Sequence, residues 1–155
     1  MRHPFAVLLL LAALIPSAAR ATDEADAVAA ARQFIDGFNK GDVKTALAAC
    51  APSTTVIDEF APYLWQGPNG CATWANDFDA DAKKNGITDA IVKLAKPRHV
   101  FVTGDKAYVV IGATYDYKKG GKKKSQTGAT LTVALQKGAD GWRITAWAWS
   151  TGKTT

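Results

Sequence analysis

The sequence predicts an α+β domain in which helices come first along the chain and antiparallel strands follow. Apolar residues recur at helical spacing in the N-terminal half, whereas the chain after Gly86 is strand-like throughout. Glycine-containing turn signals separate the strand-like runs, as β-hairpins require. We therefore expect three N-terminal helices to pack on one face of a mostly antiparallel sheet, within a single domain.

Three segments have helical patterns. The first runs from Asp23 to Phe38 and begins with acidic residues, which favour a helix N-terminus. The second is short, carries residues 43–50 and is capped by Asp42. The third runs from about Cys71 to Asn85, and Gly86 suits the left-handed position that ends a helix.

Five segments have strand patterns. The first, STTVIDEF at residues 53–60, is β-branched and precedes an irregular stretch rich in proline and glycine. The other four predicted strands cover residues 88–103, 106–117, 126–137 and 141–150. The order of helices and strands shows no internal repeat and no linker, so one domain is expected.

The first 21 residues have the pattern of a secretory signal peptide. Arg2 and His3 precede the apolar run FAVLLLLAALI, and residues 19–21, Ala-Arg-Ala, offer a cleavage site. The apolar run is too short to cross a bilayer comfortably. We expect residues 1–21 to be removed, which leaves a secreted or periplasmic domain at residues 22–155 without a membrane anchor.

Five lysines surround a Gly-Gly pair in the segment KKGGKKKS, residues 118–125. We interpret this segment as a longer hairpin loop with solvated charges, because no aromatic residues interleave with the lysines. The mature chain would carry 17 basic and 14 acidic residues once Arg2 and Arg20 are removed, so its positive excess is small. We therefore expect no nucleic-acid partner.

Export would place the two cysteines, Cys50 and Cys71, where a disulfide can persist. We predict that they pair and close a loop of about twenty residues. The lost entropy of the unfolded chain would make such a disulfide stabilise the fold by about 3 kcal/mol. The alternative is that each is an independent small apolar residue.

Four features together resemble the SnoaL-like branch of the nuclear transport factor 2-like superfamily. They are the two helices that meet at Gly41-Asp42, the strand TTVIDEF, the turn WQGPNG before the third helix, and the closing GWRITAWAWS. The resemblance implies a cone-shaped domain whose strongly curved sheet wraps the helices around a pocket, often with a homodimer through the outer face of the sheet. Members include isomerases, dehydratases, hydrolases, cyclases and binding domains, so the fold alone selects no function.

The closing strand alternates between two faces. One face carries Trp142, Ile144, Ala146 and Ala148, and the other carries Arg143, Thr145, Trp147 and Trp149. We expect the first face to point inward, because similar sequences pack large residues there and the two alanines would leave room for a pocket. The exposed indoles of Trp147 and Trp149 would then form a dimer contact. The reverse assignment, in which these indoles form the pocket wall, stays open.

Asp58 is the leading candidate for chemistry. It matches the position of the general-base aspartate in similar ketosteroid isomerases, and such a base needs a raised pKa in an apolar pocket. The companions differ, because the tyrosine donor of those isomerases falls on Phe34 and their protonated acid falls near Leu131. The alternative is a carboxylate bonded to turn amides.

His99 and Tyr115 are candidate proton donors. His99 is the one histidine that follows the predicted leader, so a histidine metal cluster is not expected, and an exposed strand position is its alternative role. The sequence contains no phosphate loop, no dinucleotide glycine pattern and no serine elbow, so no cofactor and no metal are predicted.

Aromatic and small residues at helix and strand periods predict a ligand pocket, although the same residues also suit an ordinary core. The predicted pocket residues are Phe34, Phe38, Tyr63, Trp65, Trp74, Phe78, Ala146 and Ala148. We expect the domain to bind a small apolar or aromatic molecule. The rival hypothesis is a cofactor-independent lyase, isomerase or hydrolase with Asp58 as base and His99 or Tyr115 as proton donor. A third is a structural interaction module that uses Trp147 and Trp149.

Overall fold

The computed structural model describes residues 16–155, with side-chain surroundings from residue 20 onward. Residues 1–15 of the predicted signal peptide lie outside the described residues, so the leader and export remain predictions. Within the described range, no helix combines the length and the apolarity that a membrane crossing needs.

Three helices precede the long strands, as predicted. They are α1 (Pro16–Lys40), α2 (Val43–Ala48) and α3 (Gly70–Asn85). The Asp42 carboxylate caps α2 by accepting a hydrogen bond from the Thr45 backbone N–H at 3.0 Å. Gly86 ends α3 with a φ of 63°. The prediction that α2 extends to residue 50 is wrong, because α2 stops at Ala48 and Cys50 begins the first strand.

Seven strands form one curled, unclosed, mostly antiparallel sheet. They are β1 (Cys50–Ile57), β2 (Leu64–Trp65), β3 (Ile87–Thr103), β4 (Lys106–Lys119), β5 (Lys122–Gly138), β6 (Gly141–Ser150) and β7 (Lys153–Thr154). Their order is β2-β1-β6-β5-β4-β3, with β7 paired to β5. β1 and β6 are parallel, and the other pairs are antiparallel. The four long strands were predicted, whereas β2 and β7 are two residues each and gave no periodic signal.

The lysine-rich segment is part of the sheet. β4 and β5 continue through it, so that Lys119 faces Lys122 across a turn of only two residues, Gly120 and Gly121. Both glycines have positive φ, at 55° and 77°, which this tight turn requires. The predicted longer loop is therefore wrong, because the Gly-Gly pair lets the strands run to the tip.

β6 contains a β-bulge that changes which side chains face the helices. Ala146 pairs with Ala134 of β5, but the next pair joins Ile144 to Leu135, which leaves Thr145 as an extra residue. The Thr145 hydroxyl donates a hydrogen bond to the Ala134 carbonyl oxygen at 3.2 Å. Because of the extra residue, the side chains on the two sides of the bulge no longer follow one alternation.

The predicted assignment of the β6 side chains to the two faces is therefore correct before Thr145 and wrong after it. Ile144 and Trp142 point inward as expected, at 1 % and 4 % exposed. Trp147 is also buried, at 4 % exposed, and its β5 partner is the fully buried Val133. The outward placement of Trp147 and Trp149 is wrong, and so is the inward placement of Ala146 and Ala148, because the bulge exchanges the two faces after Thr145.

The helices and the concave face of the sheet enclose the core. Inward residues of β4, β5 and β6 are fully buried against α1, whose contribution includes Phe34 and Ile35. Cys50 and Cys71 form the predicted disulfide, which ties the start of β1 to the start of α3. Gly70 allows this close approach, since a Cβ there would collide with the Thr54 carbonyl oxygen.

The convex face of the sheet carries exposed rings. Phe101 and Tyr108 are 56 % and 45 % exposed, and Phe101 stacks on both Tyr108 and the exposed His99. The predicted homodimer through this face stays a prediction, although the indoles assigned to it face the interior.

The disulfide should carry a measurable share of the stability. Replacing both cysteines (C50A/C71A) should lower the free energy of unfolding by about 3 kcal/mol, because the unfolded chain regains the entropy of a closed loop of about twenty residues. Urea denaturation followed by tryptophan fluorescence measures the change, with the wild type plus reductant as a matched control. A double variant as stable as the oxidised wild type would contradict the prediction.

Candidate functional site

A cavity of about 100 Å³ opens between α1, α3 and the concave face of the sheet. We call it the aromatic cavity, because rings form most of its wall. Its lining residues are Phe34, Ile35, Phe38, Asp58, Glu59, Phe60, Trp74, Phe78, Asp81, Ile87, Val92, Tyr115, Leu131, Trp147 and Trp149. The volume is several times what one water molecule needs, so the cavity is suited to a small organic molecule.

The bulge in β6 supplies two of the cavity's rings. Trp147 meets Trp74 of α3 edge to face, with 4.7 Å between ring centroids, and lies 5.4 Å from the Phe34 ring of α1. Trp149 meets the edge of Tyr115 at 6.4 Å. Contacts of this geometry stabilise each other, so the wall is a packed cluster of rings from both helices and strands.

Asp58 lies at the end of β1, where the chain turns back. Its backbone N–H donates to the Tyr63 carbonyl oxygen, which closes the turn. One carboxylate oxygen accepts the Trp74 indole N–H at 2.7 Å, and the other accepts the Glu59 backbone N–H at 2.7 Å. Both donors are neutral, so the carboxylate has hydrogen bonds but no counterion.

Burial raises the pKa of Asp58 to about 6, because the apolar wall disfavours the charged carboxylate and the neighbouring Glu59 adds repulsion. The two hydrogen bonds lower the pKa but do not cancel the effect of burial. Near neutral pH the group can therefore hold or release a proton, as a general base or acid must.

Two buried hydrogen-bond groups in the cavity wall lack a partner. The Tyr115 hydroxyl and the Trp147 indole N–H form no hydrogen bond among the described residues. Burial raises the pKa of Tyr115 well above its usual range, so its hydroxyl stays protonated. An unpaired buried polar group costs roughly 1–3 kcal/mol, which a ligand that pairs with it would recover.

Glu59 belongs to a second polar cluster beside the cavity. Its carboxylate accepts hydrogen bonds from the Gln126 side-chain amide at 2.9 Å and 3.0 Å and from the Thr151 hydroxyl at 2.6 Å. Gln126 is only 3 % exposed and accepts the Trp149 indole N–H at 2.8 Å. This cluster fixes the Trp149 ring and the Glu59 carboxylate together.

The structure brings several predicted site residues to the aromatic cavity. Those that line it are Asp58, Tyr115, Phe34, Phe38, Trp74 and Phe78, together with Trp147 and Trp149. Their roles remain predictions. Phe34 and Leu131, the two positions that differ from the ketosteroid isomerase pattern, also lie in the wall.

Other predicted site residues lie elsewhere. His99 is exposed on the convex face, because its strand directs it away from the helices, so it is wrong as a pocket acid. Tyr63 is 60 % exposed on the turn after Asp58. Trp65 is buried, but its indole N–H donates to Asp77 at 2.7 Å outside the cavity wall. Ala146 and Ala148 are displaced to the convex face by the bulge.

Two acids of the cavity, Glu59 and Asp81, were not among the predicted site residues. Asp81 lies one turn beyond Phe78 on α3, a helical spacing that could have indicated it. Glu59 is exposed but still lines the cavity, and β1 ends at Ile57, so the strand alternation does not extend to it. Among the described residues, no three His, Cys, Asp or Glu side chains converge as a metal site would need.

Comparison with known families matches one family model. The family model described as a SnoaL-like domain matches residues 28–152, which run from within α1 past the end of β6. No curated protein has a sequence that matches this chain.

Solved structures of the same architecture are similar to this chain at low sequence identity. A nuclear transport factor 2-like superfamily protein from Salmonella enterica serovar Typhimurium has a TM-score of 0.72 and 17% identity, over 86% of this chain and 94% of that one. A ketosteroid isomerase-like protein from Erwinia carotovora atroseptica gives 0.65 and 17%, over 83% and 95%. A hexachlorocyclohexane dehydrochlorinase from Novosphingobium barchaimii gives 0.69 and 15%, over 89% and 90%. At these identities the likeness establishes the fold.

Titration of Asp58 should be visible at its hydrogen-bond partner. The Trp74 indole N–H resonance should shift with a midpoint near pH 6, because that N–H donates to the carboxylate. Heteronuclear NMR between about pH 4 and pH 8 measures the midpoint, and Asp58→Asn should abolish the shift. A midpoint near 4 would contradict the burial of the charge.

The same titration should affect stability with a defined sign. Because the folded-state pKa is raised above the ordinary 3.8, the folded protein binds the proton more tightly than the unfolded chain. The wild type should therefore lose about 2 kcal/mol of stability as pH rises from about 4 to about 6, and Asp58→Asn should not. Urea denaturation of both proteins at the two pH values measures the difference.

Proposed function

The chain belongs to the SnoaL-like domain family, and from this premise we propose that it binds a small, largely apolar or aromatic molecule in the aromatic cavity. The observation that carries the proposal is the Tyr115 hydroxyl, which is buried in a wall of rings without a hydrogen-bond partner among the described residues. Proteins pair nearly all such groups. A ligand that presents an oxygen or nitrogen to Tyr115 and an apolar body to the rings satisfies both.

The rings supply most of the affinity in this proposal. Aromatic side chains from α1, α3, β4 and β6 contribute large apolar surfaces, and covering them stabilises a complex by roughly 25 cal/mol per Å². The Trp147 indole N–H adds a second unpaired donor. These two polar groups would orient a ligand that the rings hold.

A second candidate function is general-base catalysis by Asp58, which its pKa of about 6 favours. The carboxylate would take a proton from a carbon next to a carbonyl group. The unpaired Tyr115 and Trp147 donors would stabilise the negative charge that develops on the carbonyl oxygen. In this candidate Tyr115 replaces His99, which lies on the other side of the sheet.

Removal of the Tyr115 hydroxyl should separate binding from stability. Tyr115→Phe should leave the free energy of unfolding unchanged or raise it by up to ~2 kcal/mol, because no hydrogen bond within the protein is lost. Phenol should bind the wild type several-fold more tightly than toluene does, and this preference should vanish in the variant. Tryptophan fluorescence measures both affinities.

Tyr117→Phe is the matched control, since Tyr117 stacks on Tyr115 at 4.7 Å but does not line the cavity. It should keep the preference for phenol. If the wild type binds phenol no more tightly than toluene, the role proposed for the Tyr115 hydroxyl is wrong.

The catalytic candidate makes a separate prediction. In deuterated water, the wild type should accelerate exchange of the methyl protons of acetophenone above the buffer rate, and the rate should rise as pH passes through about 6 because Asp58 ionises. Asp58→Asn should reduce exchange to the buffer rate. Proton NMR follows the signal, and equal rates for wild type and variant would exclude Asp58 as the base.

A further inference from the structure

The aromatic cavity is acidic. Asp58, Glu59 and Asp81 line it, and its described lining residues include no Lys, Arg or His. None of the three carboxylates belongs to an ion pair within the described part of the chain. The hydrogen bonds that Asp58 and Glu59 accept come from indole, amide and hydroxyl donors, which are neutral. The cavity therefore concentrates negative charge without a counterion from the protein.

Two groups in the wall respond to this charge. The pKa of Tyr115 is raised first by burial, then by the neighbouring Tyr117, and further by the negative charges of Glu59, Asp58 and Asp81. The pKa of Asp58 is likewise raised mainly by burial, and repulsion from the Glu59 carboxylate raises it further. The carboxylates of α3 and of the turn after β1 thus form one region of negative potential beside Tyr115 of β4.

Composition does not explain this acidity, because the whole chain is basic. It contains 19 Lys and Arg against 14 Asp and Glu. Five of the lysines lie at the tip of the β4–β5 hairpin, where Lys119 faces Lys122 and pairs on its other side with Ile87, a residue of the cavity wall. The lysines thus lie at an exposed tip, and none of them lines the cavity.

The rings of the wall favour positive charge as well. The face of an indole or benzene ring carries negative electrostatic potential and attracts ammonium groups, tryptophan most strongly. Trp74, Trp147 and Trp149 all line the cavity, with five further rings. Aromatic faces beside unpaired carboxylates form the kind of surface that binds quaternary ammonium compounds.

We propose that the ligand of the aromatic cavity is an organic cation, a quaternary ammonium or a protonated amine on a small apolar body. This inference rests on the proposed function, since it specifies the charge of the molecule that the cavity binds. The ring faces would surround the cationic group, and Asp58, Glu59 and Asp81 would supply its counter-charge. The Tyr115 hydroxyl oxygen, which has lone pairs free among the described residues, would accept an N–H from a protonated amine.

A matched pair of probes tests the charge directly. Choline and 3,3-dimethylbutan-1-ol have nearly the same shape, but only choline is charged. Isothermal titration at about pH 7.5, with sodium chloride added to equalise ionic strength, should give choline an affinity at least about ten-fold higher. Benzoate, an aromatic anion, should show no binding.

Variants and pH identify the carboxylates responsible. Asp58→Asn should weaken choline binding by about five-fold and leave the alcohol unchanged, because it removes one charge and little volume. Asp81→Asn should act in the same direction if Asp58→Asn folds poorly. Asp36→Asn is the control, since Asp36 is exposed on α1 outside the cavity lining. Choline affinity should also fall between about pH 7.5 and pH 5 as Asp58 is protonated, with Glu59, Asp81 and Tyr115 as the other titratable groups that face it.

The outcomes separate this inference from the proposed function. If the alcohol binds as tightly as choline, or if the Asp58 and Asp81 variants leave choline binding unchanged, the cation inference is overturned while small-molecule binding stands. If choline, the alcohol, phenol and toluene all fail to bind, both proposals fail.

Discussion

The extra residue in β6 is the constraint on which the interior of this domain depends. Without Thr145 as a bulge, strict alternation would place alanines on the concave face and two indoles in solvent. With it, Trp147 and Trp149 join the rings of α1 and α3, and the alanines move to the convex face. A single unpaired residue, whose hydroxyl bonds the Ala134 carbonyl oxygen across the strand pair, thus decides whether the cavity is lined by methyl groups or by rings.

Local signals in the sequence were sufficient for the elements. Asp42 and Gly86 have side-chain and backbone properties that act within one turn, so the start of α2 and the end of α3 could be predicted. The disulfide followed from the number of cysteines and the expected compartment. The faces of β6 could not be predicted, because a bulge depends on register with β5, which is a long-range property. The same limit applies to β2 and β7, which exist only because longer strands pair with them.

The candidate site could be predicted only where a single residue type, in its local sequence, indicates the chemistry. Asp58 stands out because a carboxylate follows an apolar strand, and in the structure it is partly buried and bonded to the Trp74 indole N–H. His99 attracted attention for its chemical versatility, but an imidazole suits either face of an edge strand equally well. Asp81 was not predicted, since an acidic residue on an amphipathic helix is usually exposed to solvent. The acidity of the cavity emerges only when the turn after β1 and α3 are brought together, which no local pattern encodes.

The C-terminal segment has a practical consequence for handling the protein. Thr151 bonds the Glu59 carboxylate, and Thr155 exchanges backbone hydrogen bonds with Ser125, next to the buried Gln126. Hydrogen bonds therefore connect the last five residues to the part of the cavity wall that contains Glu59 and Trp149. A purification handle fused after Thr155 would adjoin these hydrogen bonds, so recombinant work should place the handle at the N-terminal end of the predicted mature domain or cleave it off first.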